Sequence, residues 1–330
     1  AADVTFSGYG RFGVKYSGSV DVAATETSGG FTYLDVSAAA VVDSTTDDSI
    51  VVVADGEAAQ TLEAGDVVLA GTNGTAASTT ASDTLVTSRF HLAINASTES
   101  DSGVTFGATV KVQQDDGNTN AFNAARFYAK SGGLELAVGN IYGAIDNMAG
   151  LYSGTVGLTG LGFSNVVSNF KDMGGSSTGA GSAGTKEAAE IIYSMGDYGV
   201  HVSTDGTDTE YGVSATMSGW TVALTGSDTD TAANAEWVAT VGGSIGGVTV
   251  GLATAEAVNG NSSTTVSAKF DVAAATSVTV FYNDDEANTV DDKSYGLGFS
   301  HGLGGGTSLN GGIVSANDRT FADFGVKFNF

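Results

Sequence analysis

The last twelve residues of this 330-residue chain, Arg319 to Phe330, constrain its fold more than any other stretch. From Ala322 onward the even positions are apolar (Phe324, Val326, Phe328, Phe330), while Asp323, Lys327 and Asn329 take odd ones. A period of two means a strand with one oily and one wet face. At about ten residues it is longer than a usual soluble strand and matches a tilted strand crossing a bilayer. Such a face must be covered, either by a second sheet or by lipid.

The same rhythm runs through most of the chain. Residues 3 to 16 place Val4, Phe6, Phe12, Val14 and Tyr16 on one parity, and Asp3, Thr5, Arg11 and Lys15 on the other. Residues 84 to 97 set Phe90, Leu92 and Ile94 against Arg89, His91 and Asn95, and residues 104 to 114 set Phe106, Val110 and Val112 against Thr105, Thr109 and Lys111. Residues 121 to 131 oppose Phe127 and Ala129 to Arg126, Tyr128 and Lys130; Leu134, Leu136 and Val138 then face away from Glu135. From residue 187 to the end, short amphipathic segments return in pairs, and eleven of them fit. Turns at one end of the series are compact, such as Met217-Ser218-Gly219, and at the other they are wetter and more acidic, such as Asp205 to Asp208 and Asn283 to Asp292.

Two stretches break the rhythm. Residues 17 to 83 are rich in Ala, Thr, Ser, Asp and Gly, and their apolar runs at 50–54 and 66–70 are too short to cross lipid. This reads as one long excursion with a small hairpin at about 49–70. Residues 140 to 186 form the second break, ending in a Gly/Ser tract but carrying Leu151, Leu158, Leu161, Phe163, Val166 and Val167 in the middle. A long loop with that much apolar side chain argues for function or for a lining role.

Five segments before the second break and eleven after it predict an all-β fold: a sixteen-stranded antiparallel transmembrane barrel, with eighteen strands as the alternative if the excursion contributes a hairpin to the wall. An open sheet edge is prohibitive in lipid, so the sheet must close. The opposite face decides between barrel and soluble sandwich, because Thr, Ser, Glu, Lys and Arg cannot fill a dry core but do line water. Composition narrows function further. With no Cys there is neither a disulfide framework nor a thiolate metal site. A formal charge of −25, from 12 Lys plus Arg against 37 Asp plus Glu, repels nucleic acid. No apolar run reaches the length of a membrane helix, and the first residues lack the basic start and apolar core of a signal peptide, which leaves a soluble protein or a mature exported chain. Gly-rich stretches do not open helices, and no nucleophile, base and orienting acid stand at recognisable positions, so no catalytic residue is assigned and the chain is read as a non-enzyme.

Five of the twelve basic residues, Arg11, Lys15, Arg89, Lys111 and Arg126, share the polar parity of the first four wall strands, which lie roughly 5 Å apart. They make one basic wall. His91 and His201 lie on the same parity and read as lining; three His without close spacing argue against zinc. Acid pairs at Asp115-Asp116, Asp284-Asp285-Glu286 and Asp291-Asp292 are candidates for calcium or for solvated loop charge, and no other cofactor is called for. Tyr16, Tyr198, Trp220, Trp237, Tyr282 and Tyr295 fall near strand ends, as interfacial girdles do.

The chain resembles the general diffusion porins of the Rhodobacter type from alphaproteobacterial outer membranes. The resemblance rests on Ser7-Gly8-Tyr9-Gly10-Arg11-Phe12-Gly13, on Asp101 to Ala108, on Val138-Gly139-Asn140, and on Asp323 to Phe330. It implies a single barrel domain over residues 1–330, a homotrimer set in outer-membrane lipid and lipopolysaccharide, and passage of ions and small hydrophilic solutes. It further implies that residues 17–83 form an extracellular first loop, longer than expected of the family, and that residues 140–186 form a third loop folded inward to narrow the pore. Loop or wall acids facing the basic cluster would then be Asp146, Asp172 and Glu135, with Glu187 at the loop end. A substrate-specific channel, or an adhesin or receptor barrel binding through the first loop, are the competing expectations.

Overall fold

The computed structural model describes residues 2–22, 32–35, 67–70, 78–116, 122–161, 188–229, 236–288 and 290–330. Two units emerge, one of residues 1–18 and 82–330, the other of residues 19–81. In chain order β1 (Asp3–Ser17) is followed by the strands of the second unit, β2 (Val20–Val22), β3 (Thr32–Asp35), β4 (Val67–Ala70) and β5 (Ser78–Thr80). The first unit resumes with β6 (Asp83–Glu99), β7 (Thr105–Asp115), β8 (Arg126–Ser131) and β9 (Leu134–Gly139). Beyond residues 140–188 come β10 (Ala189–Met195), β11 (Tyr198–Thr204), β12 (Asp208–Met217), β13 (Trp220–Thr229), β14 (Glu236–Ile245) and β15 (Val248–Glu256). The chain ends with β16 (Ser262–Ala273), β17 (Thr276–Asp285), β18 (Lys293–Gly304), β19 (Thr307–Ala316) and β20 (Arg319–Asn329).

β1 and β6 to β20 form one closed antiparallel barrel of sixteen strands. Each strand pairs with its neighbours in this order, and β20 closes on β1 from Tyr9 opposite Asn329 to Ser17 opposite Phe321. Among the described residues the excursion adds nothing to this wall, since β2 pairs with β5 and β3 with β4. The hairpin expected at 49–70 therefore takes another form: Val67–Ala70 pairs with Thr32–Asp35, and residues 49–66 lie outside the described ones. The fourth wall strand starts at Arg126 rather than at 121, because Asn123 intrudes on β7. Its side-chain oxygen accepts the Lys111 N–H at 2.6 Å and its own N–H donates to the Lys111 carbonyl at 2.8 Å.

Two-residue turns join many of the strands. Ser218-Gly219, Gly246-Gly247, Gly305-Gly306 and Asn317-Asp318 hold positive φ at both central positions, the geometry whose twist matches paired strands and which Gly, Asn and Asp tolerate best. These short links fix the register. Register in turn fixes which parity faces out, because a slip of one residue would invert every side chain.

The barrel is inside-out relative to a soluble fold. Thirty-eight large apolar side chains among the described residues stand exposed, with Phe6 at 64% and Phe12 at 54%. Meanwhile Arg126, Glu190, Glu210 and Asp323 are buried. Full burial of such an apolar side chain is worth about 1.5–3 kcal/mol, so leaving this many half-exposed to water forfeits on the order of tens of kcal/mol, more than the net stability of a folded domain. The apolar belt faces lipid. Sixteen strands also enclose more space than wall side chains can fill, and the polar parity lines that space.

At the seam the chain end is tied to the chain start. The Phe330 N–H donates to the Gly8 carbonyl at 3.1 Å and the Gly8 N–H to the Phe330 carbonyl at 3.0 Å, while the Phe330 ring stacks on Phe90 at 5.7 Å. A methyl at Gly8 would run into the backbone oxygen of His91, whereas one at Gly10 would meet the rotatable end of the Phe328 ring. Gly8→Ala is therefore expected to lower the thermal midpoint of the detergent-solubilised barrel clearly more than Gly10→Ala, by circular dichroism; equal effects would contradict the backbone clash.

Candidate functional site

Register gathers the basic residues of the first strands into two groups. In the first, Arg11 lies opposite Arg89 on one side and Lys327 on the other. Arg89 is ion-paired to Asp115 and its Nη1 donates to the Tyr9 hydroxyl at 3.3 Å. Lys15 Nζ meets Asp116 at 2.6 Å. The Lys327 ammonium stands 4.7 Å from the centre of the Tyr9 ring, which stacks on His91 at 5.3 Å. Four cations (Arg11, Lys15, Arg89, Lys327) thus stand with two carboxylates bonded to them (Asp115, Asp116) and a third, Asp323, opposite Lys15 in register, which leaves one positive charge in excess.

The second group centres on Arg126. Its guanidinium bonds Glu190 at 2.7 Å and Glu135 at 2.6 Å, and lies 4.0 Å from the centre of the Tyr142 ring. Arg126 and Glu190 are 3% and 2% exposed, so the pair is desolvated and held only by its full set of partners. His201 Nε2 approaches the other Glu190 oxygen at 2.8 Å. Lys111 places its ammonium 5.6 Å from the same Tyr142 ring. The carboxylate partners of these cations include Asp115, Asp116 and Glu190, which the alternation of the sequence does not assign to them.

Residues 140–161 run against that inner face over much of the wall. The Tyr142 N–H donates to Glu190 at 3.2 Å, the Ala144 N–H to Ser203 at 2.9 Å, and the Ile145 N–H to Glu210 at 3.0 Å. Further along, Thr240 donates to the Ala149 carbonyl at 2.5 Å. Asp323 accepts the Leu158 N–H at 2.9 Å and both the N–H and hydroxyl of Thr159, at 2.6 and 2.7 Å, while Arg11 donates to the Leu158 carbonyl at 2.9 Å. Apolar contacts fill the intervals. Ile145, Met148 and Leu151 pack on Ala223, Val238, Ala253 and Ala255, and Val156 packs with Phe281 and Val314. Asp146 faces no cation of the basic groups here; its Oδ1 accepts the Tyr152 hydroxyl at 3.0 Å. Asp172, Glu187, Phe163, Val166 and Val167 lie outside the described residues.

The sequence profile of the Gram-negative porins matches residues 1–320. The chain belongs to this family. A porin of Fuscovulum blasticum is 29% identical over 268 residues, which cover 75% of this chain and 92% of the relative. Among solved structures, a mutant of Rh. blastica porin superposes with a TM-score of 0.70 at 21% identity, and a triple mutant of Rhodopseudomonas blastica porin with 0.69 at 22%. Each covers 99% of this chain and 100% of the other, a likeness of overall fold.

In this porin the acid pairs proposed as calcium candidates have partners of their own. Asp115 and Asp116 serve Arg89 and Lys15, Asp291 accepts the Lys293 N–H at 3.0 Å, and Asp292 pairs with the Lys293 ammonium at 2.7 Å. Among the described residues no group of three or more His, Cys, Asp or Glu is arranged to hold a metal. Burial, the largest single influence, disfavours the Asp116 charge, but hydrogen bonds from Lys15, the Ser88 N–H and Thr87 together outweigh it and hold the pKa down at about 2. A carboxylate depressed below its ordinary value contributes stability that is present above about pH 4 and lost as pH falls through about 2.

Asp323 was legible as an inner-face residue, but its role as acceptor for two backbone N–H groups was not, nor were Glu210, Tyr9 and Lys327 singled out. Leaving buried donors unpaired costs about 1–3 kcal/mol each. Asp323→Ala in the porin should therefore speed amide hydrogen exchange at residues 157–160 by roughly tenfold or more while β20 stays protected. Unchanged exchange there would show that apolar packing alone holds the segment.

Proposed function

We propose that this porin is a general diffusion channel of the Gram-negative outer membrane, passing ions and small hydrophilic solutes passively and with weak selectivity. The observation that carries the reading is the inversion of the barrel: an apolar belt outside and charged, hydroxylated side chains inside a sheet too wide to fill itself. Residues 140–186 are the inward loop that narrows the lumen. This is supported by the hydrogen bonds that residues 140–161 make to inner-face side chains on β1, β10, β11, β12, β14 and β20. Beside residues 149–157 opens a cavity of about 620 Å³ lined by Ser153, Thr221, Thr249, Ser267, Thr279 and Ser300, with Lys269 among them. Hydroxyls and water can exchange hydrogen bonds with a passing solute at little net cost.

Residues 17–83 act as an extracellular excursion of one barrel domain, and three copies assemble in lipid and lipopolysaccharide. The trimer rests on the likeness to Rhodobacter-type porins. Arg11, Lys15, Arg89, Lys111 and Arg126 form the basic wall of the constriction, and Glu135 and Asp146 are acids of its surroundings, with His91 and His201 lining it. The positive charge in excess beside Arg11 opposes cation entry, even though the whole chain carries −25. Net charge on outer loops is screened within about 10 Å at ordinary salt, whereas charge at the narrowest point meets every ion.

Two measurements test this. In planar lipid bilayers the purified protein should insert in steps of ohmic conductance, three per particle, and admit neutral sugars up to a sharp size limit of a few hundred daltons. Saturable uptake of one solute class would instead mark a specific channel, and folded protein without conductance would mark a binding barrel. Replacing both Arg11 and Arg89 by Gln should shift the reversal potential in a salt gradient toward cations. An unchanged potential would remove these side chains from the ion path.

A further inference from the structure

Where residues 150–158 meet the wall, size is traded position by position. The wall is bare beneath the bulkier loop residues. A Cβ built on Gly251 of β15 would lie 2.8 Å from Ser153 Cβ, one on Gly298 of β18 only 2.7 Å from Val156 Cβ, and one on Gly312 of β19 only 2.9 Å from Gly157 Cα. At the seam, Gly13 and Gly325 face one another across β1 and β20, and a Cβ on either would come within 2.7 Å of the same Leu158 methyl. Between these points the wall carries Thr265 and Phe281, and there the loop is bare instead: a Cβ on Gly154 would approach both at about 3.2 Å. Wall and loop interlock.

From this interlock we propose that the inner-face glycines Gly251, Gly298 and Gly312 set the size cut-off of the pore without touching a solute, by letting the loop lie one side-chain layer deeper against the wall. The inference rests on the reading of residues 140–186 as the constricting loop. Carbon atoms pack at about 3.5–4.0 Å, so a contact of 2.7 Å at Gly298 must open by roughly 1 Å. The wall at this point is a closed, hydrogen-bonded sheet, and the loop is held to it at discrete points. The loop is the partner that gives. It can move only toward the axis, so each added methyl takes space from the lumen. Gly298 and Gly312 carry the argument best, since their two nearest neighbours are loop atoms, with the Gly311 carbonyl oxygen further off at 3.2 Å from the Gly298 position, whereas at Gly13 and Gly325 the nearest atom is a backbone oxygen of the adjoining strand at 2.2 Å.

The test compares Gly298→Ala and Gly312→Ala with Gly302→Ala in planar bilayers, alongside thermal melting of each folded protein. Gly302 stands on the same strand as Gly298 but is not part of the cavity lining, and a Cβ there meets only a backbone oxygen at 3.8 Å, an ordinary contact. The two loop-seat variants should lose conductance by roughly 1.2- to 2-fold per step and exclude sugars that the parent admits, because constriction width governs passage. Gly302→Ala should match the parent. A second variant separates seating from general damage: adding Val156→Gly to Gly298→Ala removes the nearest opposing atom, though not the Gly157 N at 2.9 Å, and should bring the size limit part of the way back toward the parent, a coupling that independent destabilisation would not produce. Folded Gly298→Ala and Gly312→Ala proteins with parental conductance and cut-off, or with a wider pore, overturn the inference while leaving diffusion through the parent channel intact. If the parent itself does not conduct, the functional reading fails first.

Discussion

Closure is the constraint on which the rest of this structure depends. In hydrocarbon no water can satisfy a free backbone N–H or carbonyl, so the first strand must find the last, and it does so through the ladder that joins β1 to β20. Once the sheet is closed, the outer parity has to be apolar at every strand and the inner parity is released from any need to pack. Sixteen strands make the enclosed space too wide to fill. Arg, Lys, Glu, Thr and Gly can all stand there, which is why the interior chemistry of this chain is free to serve passage rather than stability.

That freedom is used asymmetrically. Basic side chains cluster on β1, β6, β7, β8 and β20, while β10, β12 and β14 bring Glu190, Glu210 and Glu236 inward. Glu190 and Glu210 are occupied with loop N–H groups, and Glu190 also with Arg126. The acids therefore act first as acceptors that hold residues 140–161, and the residual positive charge is left on the opposite side, beside Arg11 and Lys327. A channel whose net charge is strongly negative can in this way present a positive margin on one stretch of its inner wall.

Much of this was legible in the sequence because a period of two carries orientation as well as strand identity. The apolar parities of β1, β6, β7, β8, β9 and β20 all stand where the alternation set them, and the count of five plus eleven wall strands agrees with the barrel. Partners were harder. Asp115-Asp116 reads locally as a turn, and only the register of β6 with β7 puts Asp115 opposite Arg89. Asp323 alternates with Phe324 as any inner residue would, and its acceptor role depends on a segment 164 residues away in the chain. Glycines of the inner face are the least legible of all. In a one-dimensional pattern a strand Gly looks like a weak position, and its meaning appears only when another backbone lies above it. Asn123, which shortened β8, is a similar case, since a side-chain amide substituting for a ladder partner leaves no periodic trace.

The seam and the loop are one problem rather than two. Leu158 gives its N–H to Asp323 on the last strand and its carbonyl to Arg11 on the first, and its side chain lies over the facing pair Gly13 and Gly325. Leu158 thus spans the closing joint from within, while Phe328 and Phe330 cover the outer face beside it over Gly10 and Gly8. Neither contact set can be complete before β1 meets β20, because half of each site belongs to either end of the chain. Docking of residues 158 and 159 adds hydrogen bonds to a joint that the strand ladder has already made, and the ladder in turn presents the two halves of the seat at the right spacing. Barrel closure and the seating of this segment are therefore coupled energetically, so whatever loosens residues 158 and 159 also removes support from the one joint that the membrane requires to stay shut.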